Sequence, residues 1–286
     1  MKYGIIDVGS NSVRLMISEN GVTLGKEIKT TRLAEKTNDS GEIDFSAAKN
    51  TVEAFCFFVR KAKERGVDKV YAFATAAVRR AKNGVAFAKL LENETGVPVE
   101  IVSGELEAEI GIKGALNGKD GGVIDIGGAS TEIAVVKNGV KIYGKSVPTG
   151  AVTLTTACGS DELRAKSVVC EKIKEFGVVP DCEFYCIGGT ATSLASVSLE
   201  LKTYDPQKIQ GYRLEKSALF KLKDKLYGLS LEEKKRLSGL QPERADIIQS
   251  GAAILCAIAE YVGASGFIVS ESDNLEGYLA LKTENL

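Results

Sequence analysis

Two short stretches of this chain carry residue types that can hold a phosphate. One is Tyr3-Gly4-Ile5-Ile6-Asp7-Val8-Gly9-Ser10-Asn11-Ser12; the other ends in Asp125-Ile126-Gly127-Gly128-Ala129-Ser130-Thr131-Glu132. Each runs from an apolar, strand-like segment through Asp, an apolar residue and Gly to small or polar residues and Ser. Glycine lacks Cβ, so its backbone N–H can come close to a ligand and the chain can turn sharply. Successive N–H groups in such a turn form a concave anion site. The hydroxyls add donors, and a carboxylate at a strand end can hold a hydrated cation. Together these suit a phosphate carrying Mg²⁺. One glycine turn could be an ordinary hairpin; its recurrence points to two related halves, each offering one loop. A third stretch, Gly188-Gly189-Thr190, follows the strand-like Glu183–Ile187 and opens a helix, whose N-terminus suits an anion.

The surrounding elements must place these loops. Residues 3–8, 12–18 and 22–29 read as strands, with Asn20-Gly21 as a two-residue hairpin. Residues 32–43 form a polar loop. Asp44 reads as the N-cap of a helix over 45–65, ended by Gly66, with Ala48, Val52, Phe55 and Val59 at helical spacing. A strand over 67–74, a helix over 84–95 closed by Gly96, and a strand over 98–102 follow. Ser103 then caps a helix to about residue 116 that holds Glu105, Glu107 and Glu109. Acidic residues in a first turn ordinarily balance the helix dipole. The turn-rich 117–122 is the domain boundary. Beyond it come the 121–136 hairpin, a strand over 140–147, a helix after Pro148, a helix over 161–176 and the third loop. A charged helical stretch over 213–237, a long apolar helix from Pro242 to Val262 and a strand over 266–270 follow. The last element, 276–282, is a short helix or strand continuation.

This order predicts an α/β chain of two halves, 1–116 and 117–286, each a mixed sheet flanked by helices. The glycine turns are expected to meet at a cleft between the halves, where ligands tend to bind. Asp7 and Asp125 are expected to face one another there near a shared ion.

Composition narrows the classes. A length of 286 residues suits two domains, and 44% hydrophobic content is enough for real cores. With no apolar run of about 18 residues, no membrane span is expected. The chain enters a strand at once, so no signal peptide is expected, which points to the cytoplasm. A net charge of −1 gives no basic field for nucleic acid. The six cysteines lack paired CxxC spacing and the chain has no histidine, which argues against a Cys/His zinc site and a His-based triad. The thiols are expected to be reduced.

The motifs as a set resemble the exopolyphosphatase / guanosine pentaphosphate phosphohydrolase (Ppx/GppA) family, of the actin/Hsp70/sugar-kinase superfamily. They are Asp7-Val-Gly-Ser-Asn-Ser-Val-Arg14-Leu15, Ala74-Thr-Ala-Ala-Val-Arg79 with Asn83, Ser103-Gly-Glu-Leu-Glu107-Ala108, Asp125 to Glu132, Pro148-Thr-Gly-Ala-Val152, Gly188-Gly-Thr190 and Glu243-Arg-Ala-Asp246. The resemblance implies two ribonuclease H-like domains and removal of a terminal phosphate from polyphosphate or guanosine pentaphosphate. It implies Glu107 as general base, orienting and deprotonating water. It implies Asp7 and Asp125 as Mg²⁺ ligands, partly through water, with Glu132 supporting the metal or the water. Ser10, Asn11, Ser12, Gly127, Gly128, Ser130 and Thr131 would cradle the terminal phosphate, with Gly189 and Thr190 offering the third loop. Arg79 would place a forked charge on a phosphate oxygen, the bland alternative being a surface salt bridge. The expected partner is a small polyanion, with neither nucleic acid nor membrane; a homodimer is left open.

The chain departs from the family pattern at Ala34 and Ala129, where Gly is common, and at Thr153 and Leu275, where Arg is common. Two other classes therefore stay open. One is a polyphosphate- or nucleotide-binding sensor with little turnover. The other is an ATP-dependent small-molecule kinase of the same superfamily, using Gly188-Gly189-Thr190 as its nucleotide loop.

Overall fold

A computed structural model describes residues 1–38 and 40–284; Asp39 of the polar loop lies outside them. The chain divides into two compact units, 1–110 with 274–286, and 111–273.

The first unit holds a five-stranded sheet. Its strands are β1 (Lys2–Val8), β2 (Ser12–Glu19), β3 (Val22–Thr30), β4 (Lys69–Ala74) and β5 (Val99–Ile101), in the order β3-β2-β1-β4-β5. β1, β2 and β3 form an antiparallel meander, while β4 and β5 add in parallel on the other side of β1. The second unit holds β6 (Gly121–Ile126), β7 (Thr131–Lys137), β8 (Val140–Val147), β9 (Phe184–Ile187), β10 (Arg213–Glu215) and β11 (Gly266–Val269), in the order β10-β11-β9-β6-β7-β8. The same plan recurs: β6, β7 and β8 form a meander, and β9 and β11 add in parallel beside β6. β10 is an antiparallel addition at the edge.

The meanders are set by their turns. Asn20-Gly21 and Asn138-Gly139 both have positive φ, at 51° and 79° and at 54° and 71°. That is the geometry a two-residue turn needs to match strand twist. β1 and β6 are almost wholly buried, whereas β3 and β8 are largely exposed edge strands. The central strands are near-continuous apolar runs because both faces are covered.

Several helices differ from the sequence expectation. The first long helix covers Lys49–Glu64. Asp44 instead closes the preceding turn, its Oδ1 accepting from the Ser46 and Ala47 amides at 2.9 and 3.2 Å. Its strong capping chemistry is real, but it acts four residues early. The stretch 213–237 is β10 followed by helices Lys216–Gly228 and Leu231–Lys235. Ser230 interrupts it by capping the second helix, with Glu233 completing a capping box. The apolar helix covers Ile248–Tyr261, after a 3₁₀ turn at Pro242–Arg244.

The C-terminal segment is the helix Asn274–Thr283, and it goes with the first unit. Leu275, Tyr278 and Leu279 pack with Tyr3, Ile5, Met16 and Phe73. The Tyr278 hydroxyl donates to Glu100 at 2.5 Å. Among the described residues no helix is long and apolar enough to cross a membrane.

Candidate active-site loops

The two Asp–x–Gly turns close in the same way. Gly9 N–H donates to the Ser12 carbonyl at 3.0 Å, and Gly127 N–H to the Ser130 carbonyl at 2.9 Å. Each turn is also braced from one side. The Ser10 carbonyl accepts from Ala34, and the Asn11 carbonyl from Thr31 and Arg32, all at 2.9 Å. In the second unit the Gly127 carbonyl accepts from Ala151 at 2.9 Å, and Gly128 from Val152 and Thr153 at 2.8 and 3.1 Å. In a planar trans peptide the C=O and the following N–H point in opposite directions. The amides of Asn11 and Ser12, and of Gly128 and Ala129, therefore face away from the bracing segments. Both loops turn their donors to the side opposite their braces, which is how a backbone anion site is built.

Side chains complete the loops unevenly. Ser10, Asn11 and Ser12 are buried, and Asn11 Nδ2 is a buried donor that makes no hydrogen bond among the described residues. Such an orphan costs ~1–3 kcal/mol unless a ligand satisfies it. In the second loop Ser130 and Thr131 are buried, and the Thr131 hydroxyl donates to the Thr149 carbonyl at 2.6 Å. That hydroxyl is committed to holding Thr149-Gly150 against the loop. A Cβ on Gly150 would lie 2.5 Å from Ala129 N, so only glycine lets the chain pass there. Ala129 is buried with φ outside the positive region, so the extra methyl imposes no backbone strain.

The loop aspartates have different partners across their hairpins. Asp7 sits opposite Arg14, whose Nε and Nη2 donate to Asp7 Oδ2 at 3.0 and 2.7 Å. Asp125 sits opposite Glu132, at the equivalent position of the β6–β7 hairpin. Glu132 Oε1 accepts from the Ser146 hydroxyl at 2.6 Å. Like charges directly opposite are unfavourable. A hard divalent cation between two such carboxylates relieves that repulsion, and Mg²⁺ is ordinarily bound by one or two carboxylates, waters and substrate phosphates. The Asp125–Glu132 donor set fits that ion. Asp7 already has an arginine as counter-ion, so its fit is to an outer position reached through water. Among the described residues no group of three or more acidic, Cys or His side chains forms a ready-made metal cage.

The third loop adjoins Asp125. β9 lies parallel to β6 with Ile187 beside Asp125, and the chain then turns at Gly188 with φ +78°. A Cβ on Gly188 would lie 2.6 Å from Asp125 Oδ1. Thr190 spends its hydroxyl proton on the Ile126 carbonyl at 3.0 Å, tying the third loop to the second. Against Gly189 lies the Arg244 guanidinium, 2.1 Å from where a Cβ would stand. In the sequence Arg244 stands in the motif Glu243-Arg-Ala-Asp246, which by itself indicates no role for it. The bare Gly-Gly pair was the available signal, since two small residues after a strand leave room for a bulky neighbour. Cys186 lies beside this region, and burial, with the Asp125 charge, pushes its thiol well above the ordinary range. It stays a neutral thiol rather than a nucleophile.

In the first unit, Glu107 lies in the first turn of helix Gly104–Leu116 and is buried. Arg79 Nη1 donates to Glu107 Oε2 at 2.6 Å and to the Val102 carbonyl at 2.9 Å. Glu107 is thus held by a charge-assisted bond, beyond any role as a dipole partner. Arg79 is mostly covered, with its side chain 21% exposed.

Two of the departures from the family pattern have structural work. Thr153 caps helix Ala151–Cys158, accepting from Gly150 N–H at 2.9 Å and donating to the Gly150 carbonyl at 3.1 Å. Leu275 is fully buried in the first unit's core.

The fold is the actin-like plan of two mixed sheets, each carrying an Asp–x–Gly turn after its first strand. The chain belongs to the Ppx/GppA phosphatase family, a class of hydrolases of phosphoanhydride bonds, whose model matches residues 17–284. It is 31% identical to a bifunctional 3-dehydroquinate synthase/phosphatase of Fusobacterium nucleatum over 98% of this chain, and spans 46% of that protein's length. It is 27% identical to exopolyphosphatase 2 of Mycobacterium tuberculosis, covering 96% of this chain and 97% of that one. Among solved structures, the Aquifex aeolicus PPX-GPPA enzyme matches with a TM-score of 0.80 and 28% identity, covering 98% of this chain and 99% of that one.

Proposed function

We propose that this protein removes the terminal phosphate of short polyphosphate or of guanosine pentaphosphate, with Mg²⁺ as cofactor. One observation carries the reading: two Asp–x–Gly turns share the same closing bond, and each is braced at two successive carbonyls, Ser10–Asn11 in one and Gly127–Gly128 in the other, which turns the following backbone donors away from the brace. Phosphoryl transfer needs positioning and charge neutralisation more than covalent chemistry, and paired donor loops supply both. The orphaned Asn11 amide adds a donor in the first loop.

In this reading Glu107 orients and deprotonates the attacking water, and Arg79 fixes its carboxylate. Asp125 and Glu132 hold the metal, Asp7 acts through water, and Arg244 adds positive charge at the third loop. When bound, Mg²⁺ neutralises charge on the phosphate oxygens. Net charge is −1 and the family arginines are replaced by Thr153 and Leu275, so short chains or the guanosine nucleotide are favoured over very long ones.

The test is phosphate release from triphosphate-length polyphosphate, long-chain polyphosphate and guanosine pentaphosphate, with Mg²⁺ or with EDTA. Release from a short substrate that EDTA abolishes is expected. Binding without release on all three would leave a sensor, and ADP formation dependent on an acceptor would mean a kinase.

A further inference from the structure

Asn83 stands at the N-cap of helix Gly84–Thr95, yet its side chain makes no capping hydrogen bond. Asn is among the preferred N-caps because its oxygen satisfies a first-turn amide. Here Oδ1 accepts from Ile43 N–H at 2.9 Å, and Nδ2 donates to the Ile43 carbonyl at 2.9 Å. One side chain thus satisfies both backbone groups of a residue 40 positions away. Beside it, Lys82 N–H donates to the Gly41 carbonyl at 3.0 Å.

The clamped segment leads directly to the first phosphate turn. Ile43 pairs with Thr37 in an isolated bridge, and Asp44 N–H donates to the Lys36 carbonyl at 2.8 Å. Immediately before lies the 3₁₀ turn Leu33–Lys36, preceded by Arg32 in the left-handed region at φ 54°. The amides of Thr31, Arg32 and Ala34 are those that brace the carbonyls of Asn11 and Ser10. On the other side of the clamp, the short helix Ala76–Arg80 carries Arg79 and with it Glu107. Asn83 is therefore where the brace of the phosphate turn meets the segment bearing the arginine.

We propose that Asn83 is a positioning residue. It gives up capping its own helix in order to hold the strap residues 31–38 and 40–43 in register, so that the 10–12 turn keeps its place relative to Arg79. This rests on the reading of that turn as a phosphate site. Leu33 and Ile43 are buried in the first unit's core, so apolar packing attaches the strap and Asn83 sets its register.

The test is Asn83→Ser in the full chain, with Asn83→Asp as a second variant. Serine and aspartate are good N-caps, so the helix keeps its start, but neither can satisfy both Ile43 groups. Amide hydrogen exchange is expected to rise about tenfold at Thr31, Arg32, Ala34 and Ile43 and to stay unchanged across helix Gly84–Thr95. KM for short polyphosphate is expected to rise about tenfold, with kcat changed less than about threefold. Unchanged exchange at residues 31–34, or faster exchange with an unchanged KM, would overturn the proposal. Wild-type protein that releases no phosphate would overturn the activity reading instead, while the exchange data would still decide the clamp.

Discussion

Arg79 Nη1 lies 2.6 Å from Glu107 Oε2, so the two residues that family resemblance assigns to substrate and to water are bound to one another. The pair fixes the direction of the carboxylate. Glu107→Gln keeps the shape and removes the base, so kcat should fall by ~10²–10⁴. Arg79→Ala should lower kcat by about 10², the cost of misplacing a catalytic group by about 1 Å. Arg79→Lys should recover only part, because a point charge cannot reproduce the planar fork. Glu105 is exposed and Glu109 half-buried, and at ~200° around the helix neither can share the position of Glu107. Their Gln variants should be near wild type; equal losses from all three would remove the assignment.

The two loop aspartates should respond oppositely to neutralisation. Asp7→Asn weakens a mostly buried ion pair with Arg14, whose partners are 6% and 17% exposed, and should cost about 2–3 kcal/mol of stability. Asp125→Asn relieves the opposition to Glu132 and should leave the metal-free protein unchanged or up to about 1 kcal/mol more stable. The Mg²⁺ requirement of phosphate release should weaken for Asp125→Asn. Urea unfolding in EDTA measures the stability terms, and losses of the same sign and size at both positions would refute the charge argument.

Much of this was legible in the chain. Near-continuous apolar runs gave β1 and β6, Asn-Gly pairs gave the meander turns, and the repeated Asp–x–Gly gave both loops. The partners of the loop aspartates were within reach as well. Counting across a hairpin that pairs Val8 with Val13 puts Asp7 opposite Arg14, and the same count puts Asp125 opposite Glu132. Contacts between distant elements were not legible. Nothing local tells that Arg79 reaches Glu107 or that Arg244 lies on Gly189. The docking of Leu275 and Tyr278 on the first unit was hidden too, because an apolar helix face does not name the surface that covers it. Asn83 misleads in a different way: its position says cap, while its side chain serves another segment.

Lys234 gives a pH dependence. It is 3% exposed, and its ammonium donates to Gln249 Oε1 with Asp246 nearby. Burial holds it below its ordinary value of 10.5 despite the Asp246 charge. Between the folded value and 10.5 the unfolded chain binds more protons, so this residue's contribution to stability rises with pH in that window. Below the folded value the burial penalty is fully present and flat. Lys234→Met removes the titration. The Tm of wild type relative to Lys234→Met should therefore climb as the pH rises toward 10.5. A flat or falling difference over that range would show that the lysine is not held below its ordinary value.

Gly189 tests whether the third loop is built around Arg244. Its φ lies outside the positive region, so an alanine there meets no backbone strain. The obstacle is the guanidinium, with Nη1 and Nη2 both 2.1 Å from the Cβ position. That neighbour is the end of a flexible side chain, so Gly189→Ala should fold and push Arg244 off the loop. KM for the phosphate substrate should rise about tenfold, the size of one lost charge-assisted contact. Arg244→Ala should do the same by deletion. In the double variant the alanine no longer has the guanidinium in its way. It should cost nothing further in KM, and it can add up to about 1 kcal/mol of stability, as alanine replaces glycine in a helix. The cycle therefore predicts strong non-additivity for two residues in contact. If the two KM effects instead multiply, Gly189 acts on the substrate through its own backbone and the space it leaves for Arg244 is incidental.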